Sequence, residues 1–119
     1  MQNDVEKWLK ELKRGATKFS ILAILRDGDM YGYELRHEFG VRTQGVMELT
    51  EGNAYPTLHS MESDELVTSY WKESELGLPP RKYYHITEKG VILLNEMILE
   101  WSRYTDAMNK VWRGKNGDQ

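Results

Sequence analysis

The 119-residue chain carries 16 Lys and Arg against 19 Asp and Glu, a formal net charge of -3, and no cysteine, with 39% hydrophobic and 29% charged residues. Such figures suit one soluble globular domain, and they exclude disulfide frameworks, cysteine zinc sites and thiol catalysis as well as indiscriminate attraction to nucleic acid, which rests on excess Lys and Arg. The longest apolar run, Ile21 to Leu25, is too short to cross a bilayer, and Asp4 and Glu6 do not suit a signal peptide, so the expected setting is a reducing cytoplasm.

Residues 4 to 26 read as helix. Trp8, Leu9 and Leu12 mark a first segment, while Phe19, Ile21, Leu22, Ile24 and Leu25 form a second that is apolar nearly all round and therefore core. Gly15 between them is expected to bend or break the helix, and Lys13, Arg14 and Lys18 cluster at that junction. Asp27-Gly28-Asp29 closes the helix as a turn. Tyr31, Leu35 and Phe39 then recur every four residues on a second helix ending at Gly40 or slightly later, with Glu34, Arg36, His37 and Glu38 on its outer face. Val41 to Leu49 has no clean period and reads as a connecting turn anchored inward by Val46 and Leu49.

From Thr50 to Leu66 the pattern is that of a short helix with two unlike faces. Ala54, Leu58 and Met61 fall on one stripe, whereas Tyr55, Pro56, His59, Ser60 and Ser63 fall on the other. Thr50 and Asn53 are both acceptable N-caps, and a cap at Asn53 places Pro56 in the first turn, where a missing N–H costs nothing. Leu66 to Lys72 and Arg81 to Ile86 have strand compositions, and Glu73 to Pro80, with Gly77, Pro79 and Pro80, forms the hairpin tip between them. Thr87 caps a last helix from Glu88 towards Trp112. Along it Val91, Leu94, Ile98, Trp101, Thr105, Met108 and Trp112 alternate four- and three-residue steps, and Leu93, Met97, Tyr104 and Val111 widen the stripe beyond what one small domain covers. Residues 113 to 119 are polar and read as frayed.

The predicted architecture is mostly α with a small β-hairpin. It is a winged helix-turn-helix over residues 1–87, a long dimerisation helix over 88–113 and a flexible tail over 114–119. The third helix becomes the recognition helix. Asn53 can bond bidentately to an adenine edge; Tyr55 and Thr57 suit phosphate or a thymine methyl; His59 and Ser60 stand on the outer face; Lys72, Arg81 and Lys82 from the wing, and Lys18 from the first helix, suit phosphates. Leu9, Leu12, Leu94, Ile98, Trp101, Thr105, Met108 and Trp112 are expected at the dimer interface. A pocket for a small aromatic effector is placed among Trp8, Trp101 and Trp112. Glu34, His37 and Glu38 share a helical face but are too few and too common to assign a metal. There is no Ser-His-Asp order, carboxylate pair in a pocket-like context or phosphate-binding glycine loop, so neither an enzyme nor a cofactor is expected.

Three motifs together resemble the PadR-type transcriptional regulators: Tyr31-Gly32-Tyr33-Glu34-Leu35, Gly52-Asn53-Ala54-Tyr55-Pro56-Thr57-Leu58, and Pro80 to Gly90 with Tyr83-Tyr84-His85-Ile86-Thr87 at its centre. They span about residues 20 to 90 in the family's order, and the single last helix resembles its short subgroup. The resemblance implies a homodimer, formed through the first and last helices, that represses genes by binding double-stranded DNA and releases it when a hydrophobic or phenolic effector binds. The chain departs from the family's pattern at His59 and Ser60, where Lys and Arg are common, and at Glu65, where Gly is common. With no Lys or Arg in the recognition helix, the alternative is a winged-helix dimer that has lost tight duplex binding and works through protein or ligand contacts.

Overall fold

The computed structural model describes residues 2–115, and residues 116–119 of the expected tail lie outside it. The elements are α1 (Gln2–Arg26), β1 (Met30–Tyr31), α2 (Gly32–Arg42), α3 (Glu51–Ser63), β2 (Val67–Lys72), β3 (Arg81–Ile86) and α4 (Glu88–Arg113). Ile21, Leu22 and Leu25 of α1 meet Leu35 and Phe39 of α2, Leu58 and Met61 of α3, Tyr84 and Ile86 of β3 and Leu94 of α4 in one buried cluster. This is the expected winged helix-turn-helix. No described helix is long and apolar enough to cross a membrane.

Three local expectations are revised and one open choice is settled. α1 runs unbroken through Gly15, because a helix-interior glycine costs only about 1 kcal/mol and the packed second half of α1 outweighs that. Met30 and Tyr31 do not open α2 but form a short strand, paired with Tyr84 and Tyr83, so the sheet has three strands in the order β1-β3-β2 rather than a bare hairpin. In the turn after α2, Leu49 is buried but Val46 is 76% exposed, and Met47 packs on the core in its place. Thr50 is the N-cap of α3, in a reciprocal capping box with Asn53. Pro56 therefore lies inside the helix, where it cannot donate to the Gly52 carbonyl.

α3 ends in a Schellman arrangement, with Leu66 N–H on Met61 O at 2.8 Å and Glu65 N–H on Glu62 O at 3.0 Å. Its left-handed residue is Glu65, at φ 61°. A residue with a Cβ is strained there, so Glu65→Gly should raise stability by about 0.5–1 kcal/mol. Thermal melting checks this; an unchanged or lowered melting temperature refutes it.

The last motif is the joint between α3, the sheet and α4. The Thr87 hydroxyl lies 2.7 Å from Glu65 O and 3.0 Å from Leu66 O and accepts the Gly90 N–H at 3.0 Å. Gly90 packs so closely that an added Cβ would overlap Leu66 O and lie 2.8 Å from Ile86 Cγ1. On the other side of the sheet, the Tyr70 hydroxyl donates to Asp29 and His85 Nδ1 meets the second carboxylate oxygen, both at 2.7 Å. Burial pushes the Asp29 carboxyl up, but the bonds to Tyr70 and His85 outweigh it and hold it below the ordinary value of 3.8. That carboxylate stabilises the fold above the ordinary value, and its contribution disappears as pH falls through the lowered one.

α1 and α4 extend well beyond the core, giving a longest dimension of 61 Å. They meet through Phe19 and Trp101, ring centres 5.4 Å apart. Trp8 and Trp112, each eleven residues further along its helix, are 74% and 67% exposed, so neither is covered by the opposite helix.

Candidate nucleic-acid interface

The helical turn presents three sides of α3. Ala54, Leu58 and Met61 are buried, leaving Gly52, Pro56, His59, Ser60 and Ser63 outermost and exposed. Tyr55 and Glu62 flank the side towards β3, and Asn53 and Thr57 flank the side towards α1. The outermost stripe thus presents the polar side chains of His59, Ser60 and Ser63, with the Ser63 hydroxyl donating to His59 O at 3.3 Å.

The two flanks differ. Towards α1, Asn53 and Thr57 share a groove of about 440 Å³ with Glu6, Leu9, Lys10, Lys13 and Thr17. Asn53 Oδ1 accepts the Thr50 N–H at 2.8 Å, and the Thr57 hydroxyl donates to Asn53 O at 2.8 Å. A bidentate contact from Asn53 to adenine uses that same Oδ1, so base reading by Asn53 competes with the cap.

Towards β3, the Tyr55 ring rests on the start of α2. A Cβ at Gly32 would come 2.7 Å from the Tyr55 hydroxyl oxygen, which explains why glycine precedes Tyr33. Tyr55 remains 43% exposed. It joins Tyr31, Tyr33, Arg36, Trp71, Arg81, Lys82 and Tyr84 around a cleft of about 330 Å³. Burial pushes the Tyr84 hydroxyl above its usual range, and the nearby Glu62 and Tyr55 add to the shift. Arg36 and Trp71 were not singled out from the sequence as candidate DNA contacts. The Tyr-Gly-Tyr stretch three residues before Arg36 was the available signal, since it places an aromatic pair beside that cation.

Strand alternation divides the wing cations. Lys82, paired with Trp71 in register, faces α3, whereas Arg81, paired with Lys72, faces the other way. The Arg81 guanidinium lies 4.5 Å from the Tyr31 ring centre, and the Lys72 ammonium 5.3 Å from that of Tyr83. Three further cations near α3 are held by carboxylates. Arg36 Nη2 is 3.5 Å from Glu51, Lys82 Nζ 3.7 Å from Glu62, and Lys18 Nζ 3.4 Å from Asp64. Arg36 Nε is buried without a hydrogen-bond partner. Lys18 thus sits at the C-terminal end of α3, about 16 Å along the helix from Asn53.

The expected interface residues also divide. Leu94 is 0% exposed within its own protomer, so it is not available to a partner; the first turns of the stripe cover α1 instead. Ile98 packs partly on the same core. Thr105 and Met108 are half-buried, and Leu9, Leu12, Trp101 and Trp112 are exposed, with Val5, Trp8, Tyr104 and Val111 beside them in sequence. Trp101 and Trp112 stand about 16 Å apart along α4, too far for the three tryptophans to enclose one pocket within a protomer.

Residues 21–96 match the transcriptional regulator PadR-like family. The chain is similar to the crystal structure of a PadR family transcriptional regulator from Eggerthella lenta, with 29% identity, a TM-score of 0.81 and coverage of 99% of this chain and 96% of that one. It is similar as well to a PadR-like transcriptional regulator from Bacillus cereus, with 33% identity, a TM-score of 0.76 and coverage of 88% and 99%. An uncharacterised protein of Lysinibacillus sphaericus is 29% identical over 104 residues, 87% of this chain and 94% of its own length.

Proposed function

Because the chain belongs to the PadR-like family of transcriptional regulators, and is thus a winged-helix DNA-binding regulator rather than an enzyme, we propose that it acts as a homodimeric repressor released by a small hydrophobic or phenolic effector. The observation that carries the DNA reading is the polar outer stripe of α3 beside the cleft holding Tyr55, Arg36, Arg81 and Lys82. In this reading His59 and Ser60 meet base edges. Tyr55, Lys82, Arg81 and Lys72 meet the backbone, with Asn53, Thr57 and Lys18 at the margins. The dimer reading is supported by the exposed apolar residues on the projecting ends of α1 and α4, and in this reading residues 88–113 are the dimerisation helix. The effector reading puts a planar ligand at the seam where Trp8, Trp101 and Trp112 of two protomers approach one another.

Mobility shifts on the chain's own upstream DNA test this function. Lys82→Ala should weaken binding to the cognate duplex and lower its salt slope by about 1, whereas His59→Ala should mainly relax base preference. Equal losses on cognate and random duplex for His59→Ala refute its role as a reader. The second reading, a dimer without tight duplex binding, is favoured by the carboxylates that hold Arg36, Lys82 and Lys18; it predicts no shift at any salt.

A further inference from the structure

We propose that Glu51 and Glu62 are competitors for DNA phosphate carried by the recognition helix itself, and that they keep non-cognate duplex weakly held. The inference rests on the DNA-binding reading above. α3 has no Lys or Arg. Two of the cations lining its cleft side, Arg36 of α2 and Lys82 of β3, are each occupied by a carboxylate that α3 supplies, Glu51 for Arg36 and Glu62 for Lys82. Both cations line the cleft beside Tyr55, and Glu62 shares the adjoining groove with Tyr55, Pro56, His59 and Lys82. Glu62 is also oriented from behind, because the Ser69 hydroxyl donates to its other carboxylate oxygen at 2.8 Å.

The physical effect has two parts. A closed pair withdraws a cation from phosphate neutralisation, and its carboxylate repels an approaching phosphate. Non-cognate binding is almost entirely electrostatic, so it loses most. A duplex held in register by contacts along the outer stripe of α3 presents phosphates at fixed positions. Ion pairs of 3.5 and 3.7 Å with part-exposed partners are weak enough to open for them. Glu51 and Glu62 are therefore specificity-determining residues that touch no base.

Fluorescence anisotropy with a random-sequence duplex, followed from about 50 to 200 mM salt, tests this in the full chain. Glu62→Gln and Glu51→Gln should each raise affinity roughly fivefold at the low-salt end and steepen the log–log salt slope by about 0.9 per freed cation. Adding Lys82→Ala to Glu62→Gln should cancel its gain. Glu96→Gln, an exposed carboxylate on α4, controls for net charge. If Glu51→Gln and Glu62→Gln bind no better than Glu96→Gln, with unchanged slopes, the competition does not exist even though the protein binds DNA. If neither the parent nor any variant binds duplex, both this inference and the DNA-binding reading are overturned.

Discussion

A chain carrying Trp8→Asp and Trp112→Asp together is expected to lose its dimer, with the dissociation constant raised by at least about a thousandfold. The parent chain should sediment as a dimer at micromolar concentration. Both tryptophans stand largely in water on helices that project past the core, and burying an aromatic of this size removes up to about 150–250 Å² from water, worth about 3 kcal/mol or more. Two such groups per chain, lost from both sides of a two-fold interface, exceed what the surrounding Leu9, Leu12 and Val111 contribute. A charge placed at the seam adds a desolvation cost. Sedimentation measures the outcome directly. A folded parent monomer at micromolar concentration would overturn the dimer, and an undiminished dimer in the double variant would move the interface elsewhere.

Gly90→Ala should destabilise the fold by about 2–3 kcal/mol, at the upper end for overpacking. The new methyl would press on the Leu66 carbonyl, a backbone atom, and on Ile86 Cγ1. The Thr87 hydroxyl is tied to both that carbonyl and the Gly90 N–H, so relief by shifting α4 would break the joint. Gly15→Ala is the internal contrast. It lies in an unbroken helix with nothing within 4 Å of the added carbon, and should stabilise by up to about 1 kcal/mol. Chemical denaturation of both variants checks the pair; a Gly90→Ala change no larger than a few tenths would refute the close-contact account.

The faces of α3 were legible in the sequence because Ala54, Leu58 and Met61 follow a helical period, and the wing because Gly77, Pro79 and Pro80 interrupt two β-rich runs. Thr87 as a cap was legible for the same local reason. β1 was not, since two residues are too few to show a period and Met30 and Tyr31 become a strand only because β3 offers a free edge. Gly15 misled because propensity near 1 kcal/mol yields to packing. The cap of α3 stayed open between Thr50 and Asn53, because the position where a proline sits best pulls against the Thr50–Asn53 box that decides it. On the candidate site, Tyr55, His59 and Lys82 could be placed from helix and strand alternation. The contacts that decide their chemistry, Tyr55 on Gly32 and Glu62 on Lys82, join residues about twenty positions apart and leave no periodic trace.

The proline inside α3 also sets a clock for the recognition helix. With no N–H at Pro56, the Gly52 carbonyl has no partner from that residue, and the first turn depends on the Thr50–Asn53 box and the Ala54 N–H on Thr50 O at 2.8 Å. Its second half is tied down by Leu58, Met61 and the Schellman closure. The amides near Gly52 to Tyr55 therefore open to deuterium by local fraying, while those near Met61 wait for the whole domain to unfold. The end of the helix beside the cleft is thus expected to change shape at least cost, and amide hydrogen exchange faster at Gly52 to Tyr55 than at Met61 is the result that shows it.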